Sequence, residues 1–240
     1  MCYNYSLNTS VKSLESRFKV NSTKDIKLPV YHANAFAFVE MPVITNKKPL
    51  EIQPLFWGLI PSWVKNDQQA ETTKKYTLNA KCETIFEKPS FRNPILEKRC
   101  LIPATGYFEW QHIGKEKVPY FIYLRNTEIF SFAGIWDSYR SESGEVINTF
   151  SILTTEADEF NALIHNSKKR MPLIIEETHE KEWLNTNLSI EDIKTMFVKK
   201  KMNFDAYKVN KILGSMKHNS NVREILIREE NGKDDYNLFN

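Results

Sequence analysis

The sequence predicts an α+β fold, a large and mostly antiparallel sheet that curls toward a barrel and is flanked by helices. Two patterns lead there. Between residues 35 and 153, aromatic and β-branched residues gather in short alternating runs, the period of half-buried strands. On either side of that block, apolar residues recur at helical spacing behind Ser, Thr or Asp. Strands grouped in the middle, with helices outside them rather than strictly interleaved, give an α+β arrangement.

Taken in order, Val11, Leu14 and Phe18 share one helical face behind Thr9 and Ser10, both good N-cap types. Ala35–Ile44 reads as a strand, as do Ile52–Trp57, Leu101–Trp110, Val118–Leu124, Ile129–Trp136 and Val146–Leu153. Gly114 and Gly144 fall between consecutive runs and mark hairpin turns. From Thr155 the period lengthens: Thr155 and Asp158 read as a capping box ahead of Phe160, Leu163 and Ile164. Glu180–Leu184 predicts a short helix, and Ser189 with Asp192 repeats the capping device before Ile193, Met196 and Phe197. No Gly-, Ser- or Pro-rich linker and no internal repeat divides the chain, so residues 1–227 are expected to form a single domain. The polar, acid-rich stretch 228–240 is expected to be a flexible tail.

At 41% hydrophobic and 12% aromatic residues, the 240-residue chain has material for a sizeable core. A net charge of +3 does not by itself announce a nucleic-acid partner. The basic residues cluster, however, in Lys168–Arg170 and Lys199–Lys201; such runs are ordinarily solvated faces. Three cysteines, Cys2, Cys82 and Cys100, are an odd count without metal-ligand spacing, which argues against a disulfide framework and for a reducing compartment. The opening MCYNYSLN lacks the basic and apolar regions of a secretory signal, and no eighteen consecutive residues are apolar. A cytoplasmic monomer with no membrane partner is expected. There is no phosphate-cradling glycine loop, HExxH or zinc-type spacing, so neither a metal nor an organic cofactor is expected.

Cys2 stands out by its position. Removal of Met1 leaves an α-amine and a thiol on adjacent carbons, and such a 1,2-aminothiol condenses with an aldehyde to a five-membered thiazolidine. An α-amine titrates near pH 8, so a fair fraction is nucleophilic at neutrality. The plainer alternative is a packed, inert cysteine. Glu109, between Phe108 and Trp110 on a strand expected to be buried, is either a structural carboxylate or one tuned for proton transfer. His165, at the end of a capped helix, is either a dipole partner or a catalyst. Asn79 is a short polar residue between Leu78 and Ala80. In FWGLIPSW, Trp57 reads as core, while Trp63 is either core or an exposed ring able to stack on a base, with Lys81 and Arg92 as phosphate ligands.

Several segments together, in order over residues 1 to about 175, resemble the SRAP family (SOS response-associated peptidases, or abasic-site-processing proteins). They are Met1-Cys2, FWGLIPSW, LNAKCETIFEKPSFR, RCLIPATGYFEW, PYFIYL, FAGIWD, FSILTTEA, and His165 with RMPLII. The resemblance implies that Cys2, freed of Met1, forms a thiazolidine with the ring-opened sugar of an abasic site in single-stranded DNA. It implies that Asn79 positions the sugar, and that Glu109 and His165 move protons. Lys81, Arg92 and Arg170 would meet phosphates, with Trp63 against bases. It further implies removal of Met1 by the same site, with a weak β-elimination side reaction. The chain departs from the family pattern in Tyr3-Asn4 after Cys2, in His32 and Ala35, and in Asn166–Lys169, which lengthen the path from His165 to Arg170. Two other functions fit the residues: a thiol peptidase using Cys2 with His165, and a noncovalent binder of single-stranded nucleic acid.

Overall fold

The computed structural model describes residues 2–23, 26–198, 200–210 and 220–229. The first half of the chain contains β1 (Asn4–Leu7), α1 (Val11–Phe18), β2 (Asn21–Ser22), β3 (Val30–Asn34), β4 (Glu40–Thr45), β5 (Lys48–Trp57), α2 (Asp67–Thr73), β6 (Asn79–Lys81) and α3 (Pro94–Glu97). Long strands follow: β7 (Arg99–Ala104), β8 (Gly106–Ile113), β9 (Glu116–Leu124), β10 (Phe130–Arg140) and β11 (Val146–Glu156). The remainder comprises α4 (Glu159–Ile164), β12 (Arg170–Pro172), β13 (Ile174–Ile175), α5 (Glu180–Trp183), α6 (Ile190–Thr195) and β14 (Phe204–Lys208).

Strands β11, β10, β7, β4 and β5 pair antiparallel in that order. β5 then returns to β11 through the parallel pairs Thr149↔Phe56 and Phe150↔Trp57, closing a five-stranded barrel. Closure leaves no free edge along the ring, which is how an all-paired sheet avoids exposing its backbone. β6 continues the parallel edge of β11, with Asn79 opposite Ile152 and Lys81 opposite Thr154. β12 and β13 fill the splay between β10 and β11. A second, antiparallel sheet runs β14-β9-β8-β1-β3. The chain crosses between sheets at Thr105, whose N–H donates to Ser6 O at 2.8 Å.

The expected curled, antiparallel sheet is therefore present. Trp57 is wholly buried, as the sequence predicts: its ring stacks on Phe150 at 6.0 Å and its Nε1 donates to Leu78 O at 2.8 Å. Gly134 sits where β10 crosses β7. A Cβ there would lie 2.5 Å from Ile102 Cδ1 and 2.7 Å from Cys100 Sγ, so no larger residue fits without displacing both. Arg99, fully buried on β7, donates to the carbonyls of Ile95, Leu96, Trp183 and Asn185 and so ties α3 and α5 to the barrel.

Several boundaries differ from the sequence expectation. Ala35–Ala37 is a single 3-10 turn, begun by Asn34 Oδ1 accepting from Phe36 N and ended by Phe38 at φ 50°; the strand starts only at Glu40. Leu101–Trp110 is two strands in different sheets, broken at Thr105. Asp158 alone caps α4, its carboxylate accepting from Asn161 N at 2.7 Å, because Thr155 is still paired to Met171 within β11. The capping box of Ser189 and Asp192 is present as expected. Arg228 and Glu229 pair with Val209 and Lys208, so these two residues are not part of a loose tail; residues 230–240, Lys199 and 211–219 lie outside the described residues.

Candidate active site

The two sheets meet beside Cys2. The residue precedes β1 and is wholly buried, with Sγ 3.7 Å from Asn4 O. Burial raises its thiol far above the ordinary range, and the Glu109 carboxyl raises it further, which places the two groups within electrostatic reach. The resting sulfur is thus a thiol, not a thiolate.

Glu109 arrives from β8, paired to Tyr120 of β9, and is buried. Desolvation pushes its carboxyl up to about 8, so at neutral pH it is mostly the acid. His165 ends α4, its ring Nδ1 2.8 Å from Arg170 O and 3.5 Å from Glu109 Oε1. Burial lowers the imidazole to about 4, so it is neutral. A carbonyl can only accept, so the ring proton sits on Nδ1 and Nε2 is the acceptor nitrogen. An acid and a base of opposite assignment therefore stand side by side, the pattern that lets one cleft both give and take protons.

Asn79 comes from the barrel side. It is buried beside β11, yet neither Oδ1 nor Nδ2 meets a hydrogen-bond partner among the described residues. Tyr107 and Asn161, which the sequence did not single out, form a buried hydrogen bond below the site, with Asn161 held in turn by Asp158. No periodicity signals such a pair, because its members lie 54 residues apart.

Two clefts open here. One, of about 660 Å³, is lined by Glu109, His165, Asn4, Lys81, Lys117 and Lys168 among others. The other, of about 590 Å³, is lined by Trp63, Tyr76, Asn79, Lys81, Lys88 and Phe91. Lys81 lines both, so the clefts adjoin at its side chain. The alternatives for Trp63 resolve toward exposure: its ring is 48% exposed on the rim of the second cleft. Arg92 is exposed after Phe91 but lines neither cleft. Arg170 lines the first, although its guanidinium forms a bidentate pair with Glu83 and donates to Thr154 O, so a phosphate must compete with Glu83 for it.

Of the departures noted in the sequence, His32 is buried between Asn4 Oδ1 (2.9 Å) and Ser220 Oγ (2.6 Å). It joins the wall of the first cleft to residues 220–221. Among the described residues no group of His, Cys, Asp and Glu is arranged to hold a metal. No helix among them is long and apolar enough to cross a membrane.

The family model described as SOS response associated peptidase (SRAP) matches residues 1–216. Abasic site processing protein YoaM of Bacillus subtilis (strain 168) is 33% identical over 225 residues, covering 92% of this chain and 96% of the relative. Abasic site processing protein HMCES of Gallus gallus is 33% identical over 175 residues, 60% of this chain and 51% of the relative. The crystal structure of a protein from Bacteroides thetaiotaomicron aligns with a TM-score of 0.87 at 39% identity, covering 95% of this chain and all of that one. Another, from Bordetella bronchiseptica, has a TM-score of 0.76 at 24% identity and speaks to the fold alone.

Proposed function

The chain belongs to the SOS response associated peptidase family, and from that premise we propose that it processes abasic sites by covalent capture in single-stranded DNA, through Cys2 freed of Met1. The observation that supports this most is the meeting of Cys2, the protonated Glu109 and the neutral His165 under a basic, aromatic-rimmed pair of clefts.

The open form of an abasic sugar is an aldehyde. The α-amine of Cys2 adds to its carbon, and the carbinolamine then loses hydroxide as water, the proton coming from Glu109. Sulfur next attacks the imine carbon. The buried thiol must lose its proton as it does so; neutral His165 is the base at hand, and the proton passes on to Glu109 and restores its acid form, while the ring nitrogen keeps the one hydrogen left from the amine. One amine, one thiol and one aldehyde become a thiazolidine and one water. Asn79, with donor and acceptor both unengaged among the described residues, orients the sugar hydroxyls. Exposed Trp63 and Tyr76 offer faces to unpaired bases, and Lys81 offers charge to the backbone between the clefts. Loss of Met1 is a hydrolysis of the Met1–Cys2 peptide bond at the same acid–base pair.

A peptidase that turns over foreign peptides is the weaker reading. It calls for an activated, thiolate-like sulfur, and burial beside Glu109 drives Cys2 the other way. Intact-protein mass spectrometry with an oligonucleotide carrying one abasic site tests the proposal. The expected species lacks Met1 and gains the oligonucleotide mass minus one water, and Cys2→Ala loses it. A heat-stable adduct on Cys2→Ala, or none on processed wild type, overturns the mechanism.

A further inference from the structure

Asn166–Lys169, the residues that lengthen the path from His165 to Arg170, are anchored at both ends. Asn166 Oδ1 accepts from His112 N at 3.0 Å, and its Nδ2 donates to His112 O at 2.9 Å. One side-chain amide thus imitates a neighbouring strand on the edge of β8 that β1, paired only at Gly106 and Tyr107, does not reach. Gln111 Nε2 adds a bond to Leu163 O at 2.9 Å. At the other end Lys169 adopts φ 48°, its N–H donates to His165 O at 2.8 Å, and its carbonyl accepts from Ala157 N at 2.9 Å. The segment is fixed to both the sheet and the histidine.

This anchoring holds Ser167 and Lys168 beside the cross-strand pair His112↔Lys117, and all four residues are exposed and line the Glu109–His165 cleft. Arg170 on the same wall is engaged by Glu83, whereas neither Lys117 nor Lys168 pairs with a carboxylate among the described residues. Glu109, the acid lining this cleft, is mostly neutral at pH 7, so the lip is electropositive.

We propose that this lip is a further phosphodiester-binding surface. Lys117 and Lys168 contact the backbone of the bound strand on the side of Lys81 away from the Trp63 cleft, and Asn166 is the positioning residue that keeps the lip on β8. This rests on the reading that the clefts take single-stranded DNA; the chemistry of the DNA ends is immaterial to it.

The test separates the two. Binding is titrated by fluorescence anisotropy at several potassium chloride concentrations. The probe is a single-stranded oligonucleotide carrying a tetrahydrofuran abasic analogue, which has no aldehyde and cannot cross-link. Each lost contact to a single strand lowers the slope of log K against log salt by about 0.7, so Lys117→Gln/Lys168→Gln is expected to lose about 1.4. Lys12→Gln, on an exposed face of α1, leaves the slope at its wild-type value. Asn166→Ala, which removes both bonds to His112, weakens binding. Adduct formation on a true abasic oligonucleotide is read in parallel for wild type and for the double lysine variant. An unchanged slope in that variant, or a wild type that does not bind the analogue, overturns the proposal. If wild type forms no adduct while the slope still drops, covalent capture fails and the phosphate surface stands.

Discussion

Asn79 is buried with neither amide atom bonded among the described residues, which costs on the order of 1–3 kcal/mol. A residue kept at such a cost has its use in a complex rather than in the free fold. Asn79→Leu, of similar size and without polar atoms, is therefore expected to raise the melting temperature by a few degrees while slowing adduct formation at least tenfold. Calorimetry and single-turnover gel assays read the two effects, and a destabilised variant would make Asn79 a structural residue instead. Glu109→Gln keeps the shape but cannot donate a labile proton. Its adduct formation is expected to slow by about 10²–10⁴-fold, the usual contribution of a positioned acid. The wild-type rate should fall above pH 8 as Glu109 ionises, and the variant should lack that alkaline fall. In the sequence Cys2 is marked by its chemically distinctive place, Asn79 and Glu109 by lying within apolar runs and His165 by its place at a helix end, while the catalytic roles of all four come from the resemblance to the SRAP family. Trp57 and Trp63 were separable only in part. Strand alternation ends at Gly58, whose φ of 123° turns the chain, so nothing in the spacing tells which way Trp63 points.

At the level of elements, α4 matters most, since it is two turns or less and carries His165 at its C-terminal end. A helix this short is marginal alone and depends on its cap and on packing. Asp158 supplies the cap and also holds the Asn161 amide that meets Tyr107. Asp158→Ala should cost about 1 kcal/mol or somewhat more. It should also slow adduct formation, since it shifts His165. Urea unfolding and the rate assay together check this; a stability loss with an unchanged rate would show His165 to be held by Arg170 O alone. The sequence placed this helix correctly but assigned its start partly to Thr155. Capping-box spacing cannot reveal that β12 pairs with Thr155 and keeps it in the strand. The same limit explains Leu101–Trp110: its residues are strand-forming throughout, and only the contact of Thr105 with Ser6 divides the run between two sheets. Barrel closure through β5 and β11 joins residues about ninety positions apart, beyond the reach of any local pattern.

For the molecule as a whole, the burial that tunes the site also sets how stability varies with pH. Glu109 has a folded value of about 8 against the ordinary carboxyl value of 4.5. A raised carboxyl stabilises fully below about pH 4.5, and its contribution is lost as pH rises toward 8, because the unfolded chain ionises first. His32 and His165 act in the opposite sense: both are lowered from 6.5 to about 4 by burial, so their contributions are present above pH 6.5 and lost as pH falls toward 4. Between pH 4.5 and 6.5 the two histidines outweigh the one carboxyl, and stability rises with pH. Above 6.5 the histidines are silent and Glu109 alone sets the slope, so stability falls. The maximum is therefore expected near pH 6.5, with a loss of about 2 kcal/mol by pH 8 at 1.36 kcal/mol per unit for a buried group. Urea unfolding across this range should show wild type declining and Glu109→Gln level, since the amide does not titrate. A wild type equally stable at pH 6.5 and 8 would mean that Glu109 is already ionised in the fold, and the proton it is assigned to give during capture would have to come from another group.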